Sequence, residues 1–389
     1  MRASTPSSRG STATEPTVAE PAPPSTDALL ELPRIECRGA PRELGRAQGE
    51  ALAGRIALFV EQRLEALRAY LSERNESARY AEFVAEGAAC LEAARGFDPD
   101  GAAEHAGIAE GAGLDAAVLY AVTNMTDVRD VLVLPAAAAE REGCTSLLVP
   151  PPLSRERVLI AGQTWDLNPT DLNFVVAVHR RPSEGPETWA ITCTGSLSLV
   201  GMNADGVAVG TTNIKTRASR TGVGYLSILH RAIRCRSRDE AVHAVRVAPR
   251  AAAHTYWVAD ASAAHELECD PDAVVERVLG SEPVVQTNHC QAATLRAREG
   301  ETPSSSSLRR LERARALLGA GAQDVDSIRL LFADRSDGVD SINRYTEDAQ
   351  GTTTNACIVA VPAKRELWAC RGPADRGRWQ RLRFSAGLG

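Results

Sequence analysis

Cys144 is the residue whose surroundings point most directly to covalent chemistry. Gly143 precedes it, and Thr145 and Ser146 follow. A glycine adopts backbone geometries closed to other residues and leaves its carbonyl open to attack. The Cys144 thiol can attack the Gly143 carbonyl one residue back, giving a thioester that water then hydrolyses. The product is a new chain beginning at Cys144. Its α-amino group has an ordinary pKa of about 7.7–8.0. It can take the proton of the thiol on the same residue, directly or through one water. No separate histidine is then required. Taken alone, Gly-Cys-Thr-Ser reads more readily as the start of a strand, so the case for chemistry depends on what surrounds it.

The elements that must position Cys144 change character near residue 140. From Pro41 to Leu134 apolar residues recur at helical spacing, as in Ala51, Leu52, Ile56, Phe59 and Val60 and on to Leu64, Leu67 and Leu71. Further helical runs cover Tyr80 to Arg95 and Leu114 to Val133, and Pro135 ends the pattern. Beyond Cys144, short segments rich in β-branched residues follow one another: CTSLLV, RVLIAG, NFVVAVHR, ETWAITC, SLSLVGM and GVAVGTT. Helices are expected from Gly224 to Arg236 and from Arg238 to Val247, then the strands TYWVADA, HELECD and VVERVL. Helices from Ser306 to Leu318 and Val325 to Ala333 precede two last strands, NACIVAVP and RELWACR. Two batches of strands flanking helix pairs suggest an α+β protein with two mainly antiparallel sheets between helical layers.

Three further pieces stand near strand ends: Gly162-Gln163-Thr164-Trp165-Asp166, the turn at Asn203-Ala204-Asp205-Gly206 that leads to Asn213, and Thr287-Asn288-His289. Together with Gly143-Cys144-Thr145-Ser146 they resemble the isopenicillin N acyltransferase family, the acyl-coenzyme A:6-aminopenicillanic acid acyltransferases of the N-terminal-nucleophile hydrolase superfamily. The resemblance runs from Gly39-Ala40-Pro41-Arg42-Glu43-Leu44-Gly45 to the last two strands. It implies a four-layer αββα sandwich with a helical N-terminal segment, and self-cleavage into two chains that stay associated. It also implies an acyl-thioester on the new N-terminal cysteine. The implied division is a tail over residues 1–28, a helical segment over 29–143 and a catalytic core over 144–389. Cys144 matches the nucleophile, and Asp166 the aspartate that orients it. Asn288 matches an oxyanion-hole asparagine and Asn213 a second position on the oxyanion side. Gly143, Cys144 and Ser146 match the self-cleavage residues. Glu142 stands where Asp is more usual, and Thr164 replaces a common Asn. The family's later Ser and Arg site residues find no clear match.

The physical roles fit these positions. Acyl transfer creates a tetrahedral oxyanion, and removing one positioned donor typically costs about 2.7–4 kcal/mol in the barrier. An asparagine amide is a neutral donor suited to that task, although Asn288 also reads as a strand-end cap and Asp166 as a loop cap. Trp165 reads as core or pocket wall. His289 is a weaker candidate for a general base, and His254 and His179 read as strand-side residues. The expected substrates are a small acylated amine or acyl-coenzyme A. No cofactor is expected, with a coenzyme A thioester as one acyl donor.

Composition narrows the alternatives. The net charge is −6 and no long basic run occurs, which argues against a sequence-independent grip on nucleic acid. No stretch of about 18 apolar residues suggests a membrane span, and residues up to Pro24 have the Ser, Pro and Thr content of a disordered tail. Nine cysteines without a CxxC, and seven histidines without HExxH, give no metal signature and fit free thiols in a reducing cytoplasm. Two rival readings remain: a papain-like hydrolase with an internal cysteine, and a non-catalytic binding protein on the same scaffold.

Overall fold

The computed structural model describes residues 29–132 and 143–385. The tail expected over residues 1–28 and the acidic Glu142 lie outside these ranges. The chain begins with β1 (Arg34–Gly39) and continues into α1 (Pro41–Glu73), α2 (Arg79–Phe97), α3 (Pro99–Ala112), α4 (Ala116–Thr123) and α5 (Met125–Leu132). Pro41 opens α1, where no amide hydrogen is needed, and Glu43 folds back to accept from the Ala40 N–H at 2.8 Å. The stripe Leu52, Ile56, Phe59, Val60, Leu64, Leu67 and Leu71 is buried, as its spacing predicts, whereas Ala51, read with it, is exposed. Gly45 and Gly49 of α1 meet Gly107 and Gly111 of α3 at near backbone contact; a Cβ on Gly45 would lie 1.9 Å from the Glu104 carbonyl oxygen.

The segment is helical as expected, and one detail of it needs correction. The helix expected from Leu114 to Val133 is two helices. Asn124 breaks it with φ −104° and ψ 32°, and its side-chain oxygen is turned to α6 (Tyr225–Ile233), where it accepts from the Leu226 N–H. Ahead of the helices, β1 adds a strand that the sequence pattern did not show, pairing in parallel with β4 (Val175–Pro182). Only Cys37 of β1 is buried, so its side chains carry almost no strand periodicity.

The strands after Cys144 fall close to their expected places. They are β2 (Thr145–Val149), β3 (Ile160–Leu167), β4, β5 (Thr188–Cys193), β6 (Val200–Asn203) and β7 (Ala208–Asn213). After α6 and α7 (Arg238–Val247) come β8 (His254–Ala259), β9 (Ala264–Cys269), β10 (Val274–Val278) and β11 (Val284–Gln286). Then follow α8 (Ala293–Arg296), α9 (Ser305–Gly319), α10 (Val325–Phe332), β12 (Thr353–Val361), β13 (Glu366–Arg371) and β14 (Gln380–Leu382).

They form two sheets, with strand orders β1-β4-β5-β6-β7-β8-β9-β10 and β11-β2-β3-β12-β13-β14. Every pairing except β1 with β4 is antiparallel. α1, α6 and α7 cover the outer face of the eight-stranded sheet, and α9 and α10 cover the other. The result is the four-layer αββα arrangement. Cys144, just ahead of β2, and Leu148 point into the core between the sheets, whereas Leu147 and Val149 point into a second core under α9 and α10.

A polar contact fixes the sheets against each other. The Gln163 side-chain oxygen on β3 accepts from the Thr211 N–H at 2.9 Å and from the Trp257 indole N–H at 2.8 Å, both across the inter-sheet gap. Gly210 makes room for it, since a Cβ there would lie 2.3 Å from that oxygen.

Candidate active site

Cys144 immediately precedes β2 and is buried, 7% exposed. Antiparallel pairing sets Thr145 opposite Thr164, and the Thr145 N–H donates to the Thr164 hydroxyl at 3.1 Å. This register brings the Trp165–Asp166 end of β3 beside Cys144. The thiol lies 3.8 Å from the Asp166 backbone carbonyl oxygen, so it is the main chain of Asp166 that receives the thiol. The Asp166 carboxylate faces Gly143 instead. A Cβ on Gly143 would stand 2.8 Å from Asp166 Oδ2 and 2.7 Å from Arg344 Nε.

Asp166 is fully buried, with Arg344 Nε 3.8 Å from its Oδ2. Burial raises its pKa to about 6 from an ordinary 3.8. Arg344, Arg310, Thr354 and Thr164 oppose that rise.

Two arginines frame the junction. Arg310 on α9 donates to the Cys144 carbonyl oxygen, to the Thr145 hydroxyl at 3.0 Å and to the Asn288 side-chain oxygen at 3.0 Å. Ser306, one helical turn earlier, accepts from Arg310 Nε at 3.2 Å and also from Arg344. Burial, followed by the neighbouring Arg344, pulls the Arg310 guanidinium downward. Sequence reasoning left these Ser and Arg positions unassigned. The available signal was the i, i+4 pair Ser306 and Arg310 on a helix whose other charges face solvent.

A cavity of about 30 Å³ opens beside the thiol, lined by Cys144, Asp166, Asn213 and His254 among others. That volume holds roughly one or two waters. Trp165 forms part of its wall, as expected. Asn288 is not on the lining. Its side-chain N–H donates to the Asn213 carbonyl at 3.0 Å, which ties it to the cavity through Asn213. Ser146 lies two residues along β2 from Cys144 on the same face, buried but off the cavity.

The histidines fall differently from their expected order. His289 is held by Thr287 and by the Ser307 hydroxyl at 2.8 Å, away from the cavity. His179 stacks on Trp189 at 4.1 Å, beside Glu187. His254, read as a strand-side residue, lines the cavity, because the β7–β8 register places it opposite Asn213.

Among the described residues, no group of three or more His, Cys, Asp or Glu could hold a metal ion. No described helix is long and apolar enough to cross a membrane.

Residues 154–376, more than half of the chain, match the family described as Acyl-coenzyme A:6-aminopenicillanic acid acyl-transferase. The chain belongs to this acyl-transferase family. The match holds Asp166, Asn213, His254, Asn288, Arg310 and Arg344 and begins ten residues after Cys144. Family membership supports an acyltransferase. No curated protein sequence matches the chain. Among solved structures, penicillin V acylase from Agrobacterium tumefaciens is 14% identical, with a TM-score of 0.40 over 59% of this chain and 83% of that one. Two variants of conjugated bile acid hydrolase from Clostridium perfringens are 10% identical. Their TM-scores are 0.41 and 0.42, over 62% and 63% of this chain and 97% and 98% of theirs. Likenesses this distant say nothing about this chain's activity.

Proposed function

We propose that the acyl-transferase-family chain cuts itself between Gly143 and Cys144 and then uses Cys144 to carry acyl groups. What supports this most is the packing of Gly143 against the Asp166 carboxylate and Arg344, with the Cys144 thiol one residue on and facing a small cavity. In the cut, Cys144 Sγ attacks the Gly143 carbonyl carbon, the peptide C–N bond breaks and the Cys144 nitrogen takes a proton. Water then hydrolyses the thioester, returning the thiol and leaving a carboxylate on Gly143. Asp166, with a pKa near 6, exchanges a proton readily near neutral pH and faces the bond being cut.

In the mature enzyme the α-amino group of Cys144 takes the thiol proton as Sγ attacks an acylated amine. The amine leaves with that proton, and the acyl group stays on sulfur. Asn288 and Asn213 are the oxyanion-side residues; the Asn288 amide carries a second N–H besides the one given to Asn213. Acyl-coenzyme A is the alternative donor. A cavity of this size takes water, and an acyl group only once the junction is cut and its ends part. Hydrolysis is therefore the basal activity, with transfer to an amine when one is held in line, where positioning contributes roughly 7–11 kcal/mol.

His254 in the same cavity favours a second reading, in which Cys144 works as an internal cysteine without a cut. N-terminal sequencing of active protein separates the two. A chain beginning at Cys144, lost in Cys144→Ala, supports self-cleavage, and active uncut protein overturns it. A panel of N-acyl amino acids and acyl-coenzyme A donors, with rising acceptor amine, then tests hydrolysis against transfer. An enzyme that ignores every amide yet consumes acyl-coenzyme A with an amine is a dedicated transferase.

A further inference from the structure

We infer that Thr354, brought beside Asp166 by a bulge in β12, is a positioning residue for the self-cleavage, because it fixes Arg344 at the Gly143–Cys144 bond. This rests on the self-cleavage reading above. Arg344 belongs to no helix or strand. It stands between two short helical turns, Gly338–Asp340 and Thr346–Asp348. Its side chain is nevertheless buried, 1% exposed, with Nε 3.8 Å from Asp166 Oδ2. A long side chain on irregular backbone keeps one place only where neighbouring groups hold it there.

Three consecutive threonines do so. Thr352 Oγ1 accepts from Arg344 Nη1 at 2.6 Å, and Thr353 Oγ1 donates to the Arg344 carbonyl at 3.2 Å. Thr354 grips the backbone twice: its N–H donates to the Arg344 carbonyl at 3.1 Å, and its Oγ1 accepts from the Arg344 N–H at 2.9 Å. Thr354 differs from the other two in what lies opposite it. The β3–β12 register pairs Ala356 with Trp165 and then Thr354 with Asp166, so Asn355 is an extra residue in β12. Without that bulge, Asn355 would stand opposite Asp166 and Thr354 opposite Leu167. Residues directly opposite share a face of the sheet, so the bulge sets the threonine beside the carboxyl. Thr354 Oγ1 accepts one hydrogen and keeps its own to donate, and Thr354 is among the groups that hold the Asp166 pKa down.

One hydroxyl thus joins the two groups that crowd Gly143. A Cβ on that glycine would meet Arg344 Nε at 2.7 Å and Asp166 Oδ2 at 2.8 Å, so the spacing of the pair sets how the Gly143 carbonyl is presented to Cys144 Sγ. Ser306 on α9 holds the far end of Arg344. Removing the Thr354 hydroxyl frees the Arg344 backbone while Ser306 keeps the tip, and the guanidinium shifts relative to Asp166. The carboxyl then loses a donor and part of a positive neighbour. Both favour its ionised form, so Asp166 ionises at higher pH without them. Arg310 and Thr164 remain to oppose that rise.

The test follows the cut itself. The native full-length chain, Thr354→Val and Thr354→Ser are made by cell-free synthesis, pulse-labelled and chased in buffers from about pH 5 to 9. The fraction cut with time is read on denaturing gels. Valine keeps the β-branched shape and drops the hydroxyl. Thr354→Val should slow the cut at least about tenfold near pH 6 and move the limb of the pH–rate profile upward. Thr354→Ser keeps the hydroxyl and should restore the native rate and profile. Each substitution is also placed in Cys144→Ala, where thermal melting reports folding without a cut. If Thr354→Val does not fold, Thr352→Val carries the test, since its hydroxyl bonds the Arg344 guanidinium directly; slowing with the same upward shift is expected. An unchanged rate, or slowing by the same factor at every pH, overturns the positioning role. A native chain that yields no product beginning at Cys144 overturns the self-cleavage reading instead.

Discussion

Asp166 couples the junction to pH through its surroundings. Burial raises its pKa from 3.8 to about 6, so the folded protein prefers the protonated acid. That preference is complete below about pH 4 and is lost as pH rises through about 6, where ionising the buried carboxyl weighs against the fold. Asp166→Asn, placed in Cys144→Ala so that no cut intervenes, should therefore raise Tm more at pH 7.5 than at pH 5. Equal shifts at the two pH values count against a raised pKa. In the otherwise native chain the same substitution should leave the fold intact and slow maturation or turnover, read from the fraction cut with time. Gly143→Ala addresses the other side of the contact. A methyl there meets Arg344 Nε at 2.7 Å and Asp166 Oδ2 at 2.8 Å, so the chain should fold but cut at least tenfold more slowly. A normally cut Gly143→Ala protein would show that this packing does not matter. Cys144, Asp166 and Asn213 were singled out in the sequence because the pieces that hold them resemble the acyltransferase family, and the structure brings all three to one cavity. His254 was read as a strand-side residue, because its place on the cavity follows from the β7–β8 register that sets it opposite Asn213.

At the scale of elements, sequence patterns served best where burial is one-sided or complete. The helices of the first segment and the strands from β2 to β9 and at β12 and β13 carry enough apolar side chains to show their period. β1 escaped notice as an edge strand with one buried residue, and β14 as a three-residue partner of β13. The break at Asn124 escaped because nothing local demands it. Tyr120, Asn124 and Asp127 turn to take the first amides of α6, a partner some hundred residues away. The same holds for the Gln163 contact between the sheets. Gln163→Leu should leave the Thr211 amide and the Trp257 indole without an acceptor and destabilise the protein by about 3 kcal/mol. Urea unfolding in the Cys144→Ala background measures this. Adding Trp257→Phe to Gln163→Leu should recover part of the loss, because one orphaned donor disappears. A loss under about 0.5 kcal/mol for Gln163→Leu would mean water replaces the side chain without penalty.

Across the whole molecule, the segments before and after the junction share one core. β1 lies in the eight-stranded sheet, and α1 to α5 pack into the cluster between and above the sheets. Buried ion pairs cross the Gly143–Cys144 junction, Arg63 with Asp171 and Glu104 with Arg180, and a buried hydrogen bond joins His254 to Asp127. Separating them would leave charges buried without partners, which is costly. Cut protein should therefore elute as one species on size exclusion and part into two chains only in denaturant; separation in native buffer would contradict this shared core. The arginines around Cys144 have a consequence in time. Arg310 and Arg344 are made roughly 165 and 200 residues after the cysteine they frame. At about 5–20 residues per second a ribosome needs roughly 10–40 s to reach Arg344. A cut that depends on these side chains cannot occur on a nascent or truncated chain, and a chain stalled before Arg344 keeps its reactive sulfur locked inside an unbroken backbone. The break then acts as a timestamp of finished folding, written once into each molecule.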